Sequence, residues 1–203
     1  GLADVDGAGL LEVPATSNGR GLRESGVLPN AAPGLRRASE DGLDAPAIAA
    51  ALGGGELTAL YLIQADPLDE RDPLAASAAP SEWSRAVETA TTVIAHQTLL
   101  SAGMLEHATV IFPAESYAEK EGTVTHPDGR VQRVRQAVAR AGSTRAGWQV
   151  LAELAEGLGV DTGVLGEQTA SQALFEAVPF YAGLTLEQIG GRGVRWQQRE
   201  AKS

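Results

Sequence analysis

Apolar residues return with two different periods through the middle of this chain. Short continuous apolar runs of the kind buried on both sides alternate with stretches in which apolar positions recur every three or four residues. Ala59-Leu-Tyr-Leu-Ile63, Thr91-Thr-Val-Ile-Ala95 and Ala108 to Phe112 are the runs, and each predicts a strand. Asp44 is placed to cap a helix that carries Ile48 and Leu52 on one face and ends before Gly53. Ser81 can cap a second, with Trp83, Ala86, Val87 and Ala90 as its stripe, and residues 101–107 give a short third. That order predicts an α/β fold: a Rossmann-like, mostly parallel sheet flanked by helices and joined by right-handed crossovers.

Beyond residue 113 the pattern changes. Residues 122–138 read as an inserted β-hairpin, with Asp128-Gly129 supplying the positive φ of its turn. Ser143 or Thr144 then caps a helix with Trp148, Leu151, Leu154, Ala155 and Leu158 on one face, a stripe that reads as helix core, and Gly159 stops it. A further helix is expected near 168–176 and a short one from Thr185. The resulting organisation is an irregular N-terminal segment (1–42), an α/β domain (43–191) and a polar tail (192–203) that frays. Turn signals such as Asn18-Gly19 and Pro29 to Gly34 make the first segment a surface loop on local grounds.

At 203 residues the chain can bury one sizeable core. With 43% apolar but only 4% aromatic residues, that core must consist mainly of Ala, Val, Leu and Ile. Sixteen basic residues against 26 acidic ones leave a formal charge of −10. Such a surface repels phosphate backbones and anionic lipid, so neither nucleic acid nor direct membrane insertion is expected. No apolar run reaches the ~20 residues of a membrane span, and no signal-peptide pattern opens the chain. Cysteine is absent, which removes iron–sulfur ligation, disulfides and thiol catalysis from this chain. The only methionine is Met104, so the chain reads as an excised piece of a longer polypeptide.

Common catalytic signatures are missing. His96, His107 and His126 stand in no spacing typical of a zinc site, and no metal is expected. Glu119 and Glu121 flank Lys120 in a loop, where carboxylates are ordinarily solvated, and they read as structural and not as an acid–base pair. Gly53-Gly54-Gly55 precedes a strand, whereas a phosphate cradle needs its glycines between strand and helix. No Gly-x-Ser-x-Gly elbow or Ser-His-Asp spacing occurs. No catalytic residue is expected.

One stretch carries more. Ala108-Thr-Val-Ile-Phe-Pro113 is followed by Glu119-Lys-Glu-Gly-Thr123 and Gly129-Arg-Val-Gln132. This order resembles the molybdopterin oxidoreductase family, with its Ala-Asp-Val-Val-Leu-Pro, Glu-x-x-Gly-Thr and Gly-Arg-x-Gln. Ala59 to Leu68 resembles the family's strand followed by Gly-x-Asn/Asp-Pro, and Trp148-Gln-Val-Leu151 its helix. Pro179 to Trp196 resembles its terminal Tyr-x-Gly…Trp region. Asn18 to Pro29 matches its Asn-x-x-Gly-x-x-x-x-Gly-x-x-Pro, which replaces the surface-loop reading there with an ordered, packed segment.

The resemblance implies a pterin-dinucleotide cleft bordered here by Gln64, Asp66, Pro67, Gln97, Thr98, Thr109, Gly122 and Arg130. Several positions depart from the pattern. Gln64 stands where the family commonly has Gly, and its side chain takes space a ligand would need. Within the family's Asp-x-Phe-x-Thr-x-Thr-Ala, Thr98 replaces the carboxylate, and Ala102 and Met104 replace the two hydroxyls. Thr109 replaces the Asp of Ala-Asp. Each lost polar contact removes ~0.5–3 kcal/mol, so the cleft reads as vestigial and no cofactor is expected in this chain. Arg130 is expected to hold the hairpin to the sheet through a carboxylate; the alternative is that it once faced the cofactor.

These departures resemble in particular the large G subunit of NADH-quinone oxidoreductase, respiratory complex I. The implication is a non-catalytic structural part that supports electron transfer from NADH to quinone, with iron–sulfur clusters in an N-terminal part outside this chain. Its partners would be the rest of that G subunit and other peripheral-arm subunits. Its location would be cytoplasmic, peripheral to the inner face of the cell membrane. Two alternatives stay open: the cofactor-binding piece of an active molybdopterin oxidoreductase such as a formate dehydrogenase, with molybdopterin bound, and a stand-alone nucleotide module using the same cleft.

Overall fold

The computed structural model describes residues 13–198. In chain order its elements are α1 (Gly19–Glu24), β1 (Ala31–Ala32), β2 (Arg36–Arg37), α2 (Ala45–Gly53), β3 (Ala59–Ile63), α3 (Pro80–Thr89), β4 (Thr92–Gln97) and α4 (Ala102–His107). There follow β5 (Val110–Pro113), β6 (Gly122–Thr125), β7 (Arg130–Val134), α5 (Gly147–Gly157), α6 (Glu167–Ala177), α7 (Leu186–Ile189) and β8 (Val194–Arg195). The architecture is mixed α/β and divides into two compact units. One comprises Glu40–Lys120 and Arg135–Gly166; the other comprises Glu121–Val134 with the described parts of 1–39 and 167–203.

The first unit is built on a parallel sheet in the order β3-β4-β5, with Leu60 opposite Val93 and Ala95 opposite Ile111. The expected strand–helix alternation is realised, α3 and α4 linking the strands. Asp44 caps α2 by accepting from Ala47 N–H at 3.0 Å, and Ser101 caps α4 by accepting from Met104 N–H at 3.0 Å. α3 starts differently. Pro80 occupies its first turn, where a missing N–H costs nothing, and Glu82 accepts from Ala79 N–H at 2.9 Å. Ser81 therefore lies inside the helix and does not cap it.

Leu60, Leu62 and Val93 pack with Leu52 of α2, Trp83 of α3 and Met104 of α4 in one buried cluster. The expectation that β3 is buried on both sides fails: Ala59 and Ile63 are exposed while Leu60 and Leu62 are buried. β3 is an edge of a sheet of only three strands, so its alternate residues sort between core and solvent. β5, the other edge, leaves Val110 and Ile111 each 40% exposed.

α5 also departs from the sequence pattern. It begins at Gly147 and not after Ser143 or Thr144, because Ala146 is extended and Gly147 N–H is taken by the Glu115 carboxylate at 3.0 Å. Ala146 and Val150, four residues apart, are its inward pair. Leu158 is 83% exposed and Leu151 is also exposed, so the Leu stripe is not core. Anchoring of the helix start, not amphipathicity, sets which face turns inward.

The second unit holds the antiparallel sheet β6-β7-β8, with Thr125 opposite Val131 and Val131 opposite Val194. β8 lies in the stretch read as a polar tail. Its pairing with β7, and the stacking of Trp196 on Phe180 at 4.4 Å, order residues that are polar only on average. The hairpin turn is as expected, with Gly129 at φ +84, but β7 ends at Val134. Ala137 and Val138 instead both donate their N–H groups to Ala118 O. Tyr181, 2% exposed, donates its hydroxyl to buried Glu24 and shares a 2.9 Å bond with Thr125 Oγ1. Burial, with Glu24 adjacent, pushes the phenol well above its ordinary range and keeps it a donor.

Two outcomes follow for stability. Leu52→Ala empties a fully buried site and is expected to cost about 2–5 kcal/mol in urea unfolding. Asp128 loses by burial but gains more from the bonds of His126, Arg195 and the Arg130 N–H, which together hold its pKa at about 2. A depressed carboxyl pKa stabilises the fold above the unfolded value and is lost as pH falls through the folded one. Stability should therefore drop between about pH 4 and pH 2, and Asp128→Asn should flatten that part of the profile followed by thermal melting.

Candidate functional site

Open parallel sheets place ligands beyond the carboxyl ends of their strands. Here those ends are Ile63, Gln97 and Pro113. The loops that follow β3 and β4 border a crevice of about 230 Å³ lined by Gln64, Asp66, Gln97, Thr98, Leu100 and Ser101 among others. Four of the sequence-selected positions, Gln64, Asp66, Gln97 and Thr98, thus come together. Pro67 is buried directly after Asp66.

Gln64 has φ +53, a left-handed conformation that favours glycine. A glycine, the residue the resemblance expects here, would take that conformation without strain. Its amide reaches across the crevice to Thr98 Oγ1 at 3.1 Å and to Glu115 O at 3.4 Å. Thr98 Oγ1 itself lies 3.3 Å from Glu115 O. Gln97, 6% exposed, donates to Ala65 O at 2.5 Å. Asp66, 5% exposed, accepts from Leu68 N–H at 2.9 Å and from Ser101 N–H at 3.2 Å. The polar groups of the crevice therefore satisfy one another.

Its charge is negative. Asp66, Asp69 and Asp72 line it together with a single cation, Arg71. Arg71 is engaged by Asp69 through two bonds of 2.9 and 2.7 Å, which hold the Asp69 carboxyl down at about 2.

Of the remaining selected positions, only Thr109 shares the unit of the crevice. Thr109 precedes β5 and accepts from Val93 N–H at 3.0 Å, at the amino end of the strands and away from the crevice. Gly122 and Arg130 belong to the second unit. The carboxylate partner expected for Arg130 is absent among the described residues: its guanidinium donates to Arg192 O at 3.3 Å, and Asp128 is taken by Arg195. Met104, aligned with a family hydroxyl, is fully buried in the apolar core, which explains why a hydroxyl has no place there.

Glu119 accepts from Ser116 and from Ala141 N–H, and these bonds lower its pKa. Glu121 pairs with Arg133 at 2.5 Å. Both carboxylates are engaged within the fold. The residue that sequence reasoning missed is Glu115. It is 6% exposed, bonds Arg140 Nε at 2.6 Å and Gly147 N–H at 3.0 Å, and offers its carbonyl to the crevice. No sequence signal sets it apart from Glu119 and Glu121.

His96 is 2% exposed, 3.0 Å from Tyr61 Oη through Nδ1, and close to the Phe112 ring. Burial, reinforced by Lys120, lowers its pKa, so it is neutral. Among the described residues no group of three or more His, Asp or Glu side chains is placed to hold a metal ion.

Residues 13–157 match the model of the family described as molybdopterin oxidoreductase. The chain belongs to that family. It is 27% identical, over 94% of its length, to the F420-dependent formate dehydrogenase 2 subunit alpha of Methanococcus maripaludis, covering 30% of that protein. It is 30% identical over 91% of its length to the NADPH-Fe(3+) oxidoreductase subunit alpha of Geobacter sulfurreducens, covering 22% of it. It is also 30% identical over 85% of its length to the G subunit of NADH-quinone oxidoreductase from Mycobacterium tuberculosis, covering 23% of it. The chain thus spans less than a third of the length of these relatives.

The positive φ at Gln64 gives a direct check. Gln64→Gly should be more stable than Gln64→Ala by about 1 kcal/mol, since both lose the cross-crevice bonds but only Ala keeps the left-handed cost. Chemical denaturation of the pair measures it; equal stabilities would place the backbone in an ordinary region.

Proposed function

We propose that this chain is a non-catalytic structural part of an oxidoreductase subunit, in the manner of the G subunit of NADH-quinone oxidoreductase, and supports electron transfer from NADH to quinone without binding a cofactor itself. The reading rests chiefly on the Gln64 side chain, bonded across the mouth of the strand-end crevice to Thr98 and to Glu115 O. A pterin dinucleotide brings an anionic pyrophosphate and needs clustered donors. The crevice residues do not fit it. They present three carboxylates and one cation already paired.

On this reading the partners are the rest of such a G subunit and neighbouring subunits of the peripheral arm, at the cytoplasmic face of the membrane. Among the described residues no helix is long and apolar enough to cross a membrane. Iron–sulfur clusters would lie outside this cysteine-free chain.

The second reading, a piece of an active molybdopterin oxidoreductase, draws support from the match to a formate dehydrogenase subunit over 94% of the chain. Molybdenum and released guanine nucleotide, measured in the full-length protein purified from its own host, separate the two. Neither is expected in stoichiometric amount; one of each per chain overturns the structural reading.

A further inference from the structure

α5 and the loop after it, residues 158–166, border a groove of about 610 Å³ within the parallel-sheet unit. Trp148 and Ala152 of the helix face Val160, Val164 and Leu165 of the loop. Leu158, Val160 and Leu165 are 83, 56 and 89% exposed, a density of large aliphatic side chains in water that marks interaction surfaces. Trp148 Nε1 is buried and meets no acceptor among the described residues. The charges that line the groove have one sign: Glu153, Glu156 and Asp161. Glu153 is already engaged by Arg145 and Gln149. Asp161 spends one oxygen on Gly163 N–H at 2.9 Å, and Glu156 is exposed without a side-chain partner among the described residues.

We propose that this groove docks a basic amphipathic segment of a partner protein. An apolar side chain of that segment packs against Trp148 and Leu165. Its lysines or arginines pair with Glu156 and Asp161. Charge complementarity selects this occupant over a second copy of the chain. A self-complementary face would set three carboxylates against their own equivalents on a molecule whose net charge is already −10. The inference does not depend on whether the strand-end crevice holds a ligand.

The test is a fluorescence-polarisation titration of the full chain with a short labelled peptide of Leu-Lys repeats and with its Leu-Glu counterpart. The basic peptide should bind, the acidic one should not, and added salt should weaken binding. Glu156→Lys/Asp161→Lys should weaken it about tenfold or more, equivalent to about 1.4 kcal/mol, and Leu165→Asp should weaken it as well. Glu88→Lys/Glu106→Lys, which alters net charge equally on the exposed faces of α3 and α4, should leave binding intact. Equal loss in that control would reduce the effect to general attraction and overturn the proposal. So would binding of the acidic peptide, or failure of both peptides to bind. Concentration-dependent dimerisation abolished by Leu165→Asp would overturn it in favour of a second copy.

Discussion

Glu115 is the fixed point of the parallel-sheet unit. One carboxylate oxygen holds Arg140, the other holds the first N–H of α5, and its carbonyl receives the side chains that cross the crevice. A nearly buried carboxylate is costly unless its lone pairs are occupied, and here they are. The same residue therefore sets where α5 starts, which of its faces turns inward, and how the polar groups beyond β4 are arranged.

The crevice is held together by its own polar groups. A left-handed backbone that glycine would occupy freely is retained by Gln64 at about 1–2 kcal/mol of steric cost, offset by contacts with Thr98 and the Glu115 carbonyl. Asp66 likewise spends its carboxylate on the N–H groups of Leu68 and Ser101. These are the groups a ligand would have to recruit. Each is committed to holding one loop against the next.

Much of this was legible in the chain. The apolar runs gave the three parallel strands, Asp44 and Ser101 lie at the helix starts the pattern required, and Asp128-Gly129 marked the hairpin. The misses share a cause. Ser81 lost its cap role to the preceding proline, the α5 stripe was overruled by a carboxylate 32 residues earlier, and the polar tail was ordered by a single strand pairing and one aromatic stack. Glu115 itself could not be distinguished from Glu119 or Glu121 by sequence, because burial of a lone carboxylate depends on what the fold brings to it. Thr109 matched a family position, but likeness in order does not fix proximity in space.

The antiparallel unit is sewn together by contacts between distant parts of the chain. Tyr181 bonds Glu24 from 157 positions away and Thr125 from 56, and β8 completes a sheet begun at Gly122. Contacts at such separation demand loop-closure entropy before they return anything. During synthesis this unit must wait for residues 167–198 to leave the ribosome, while the parallel sheet has all three of its strands by Pro113. The order of assembly is thus written into the threading: the sheet that carries the crevice can form early, and the unit that contains both ends of the described chain must close last.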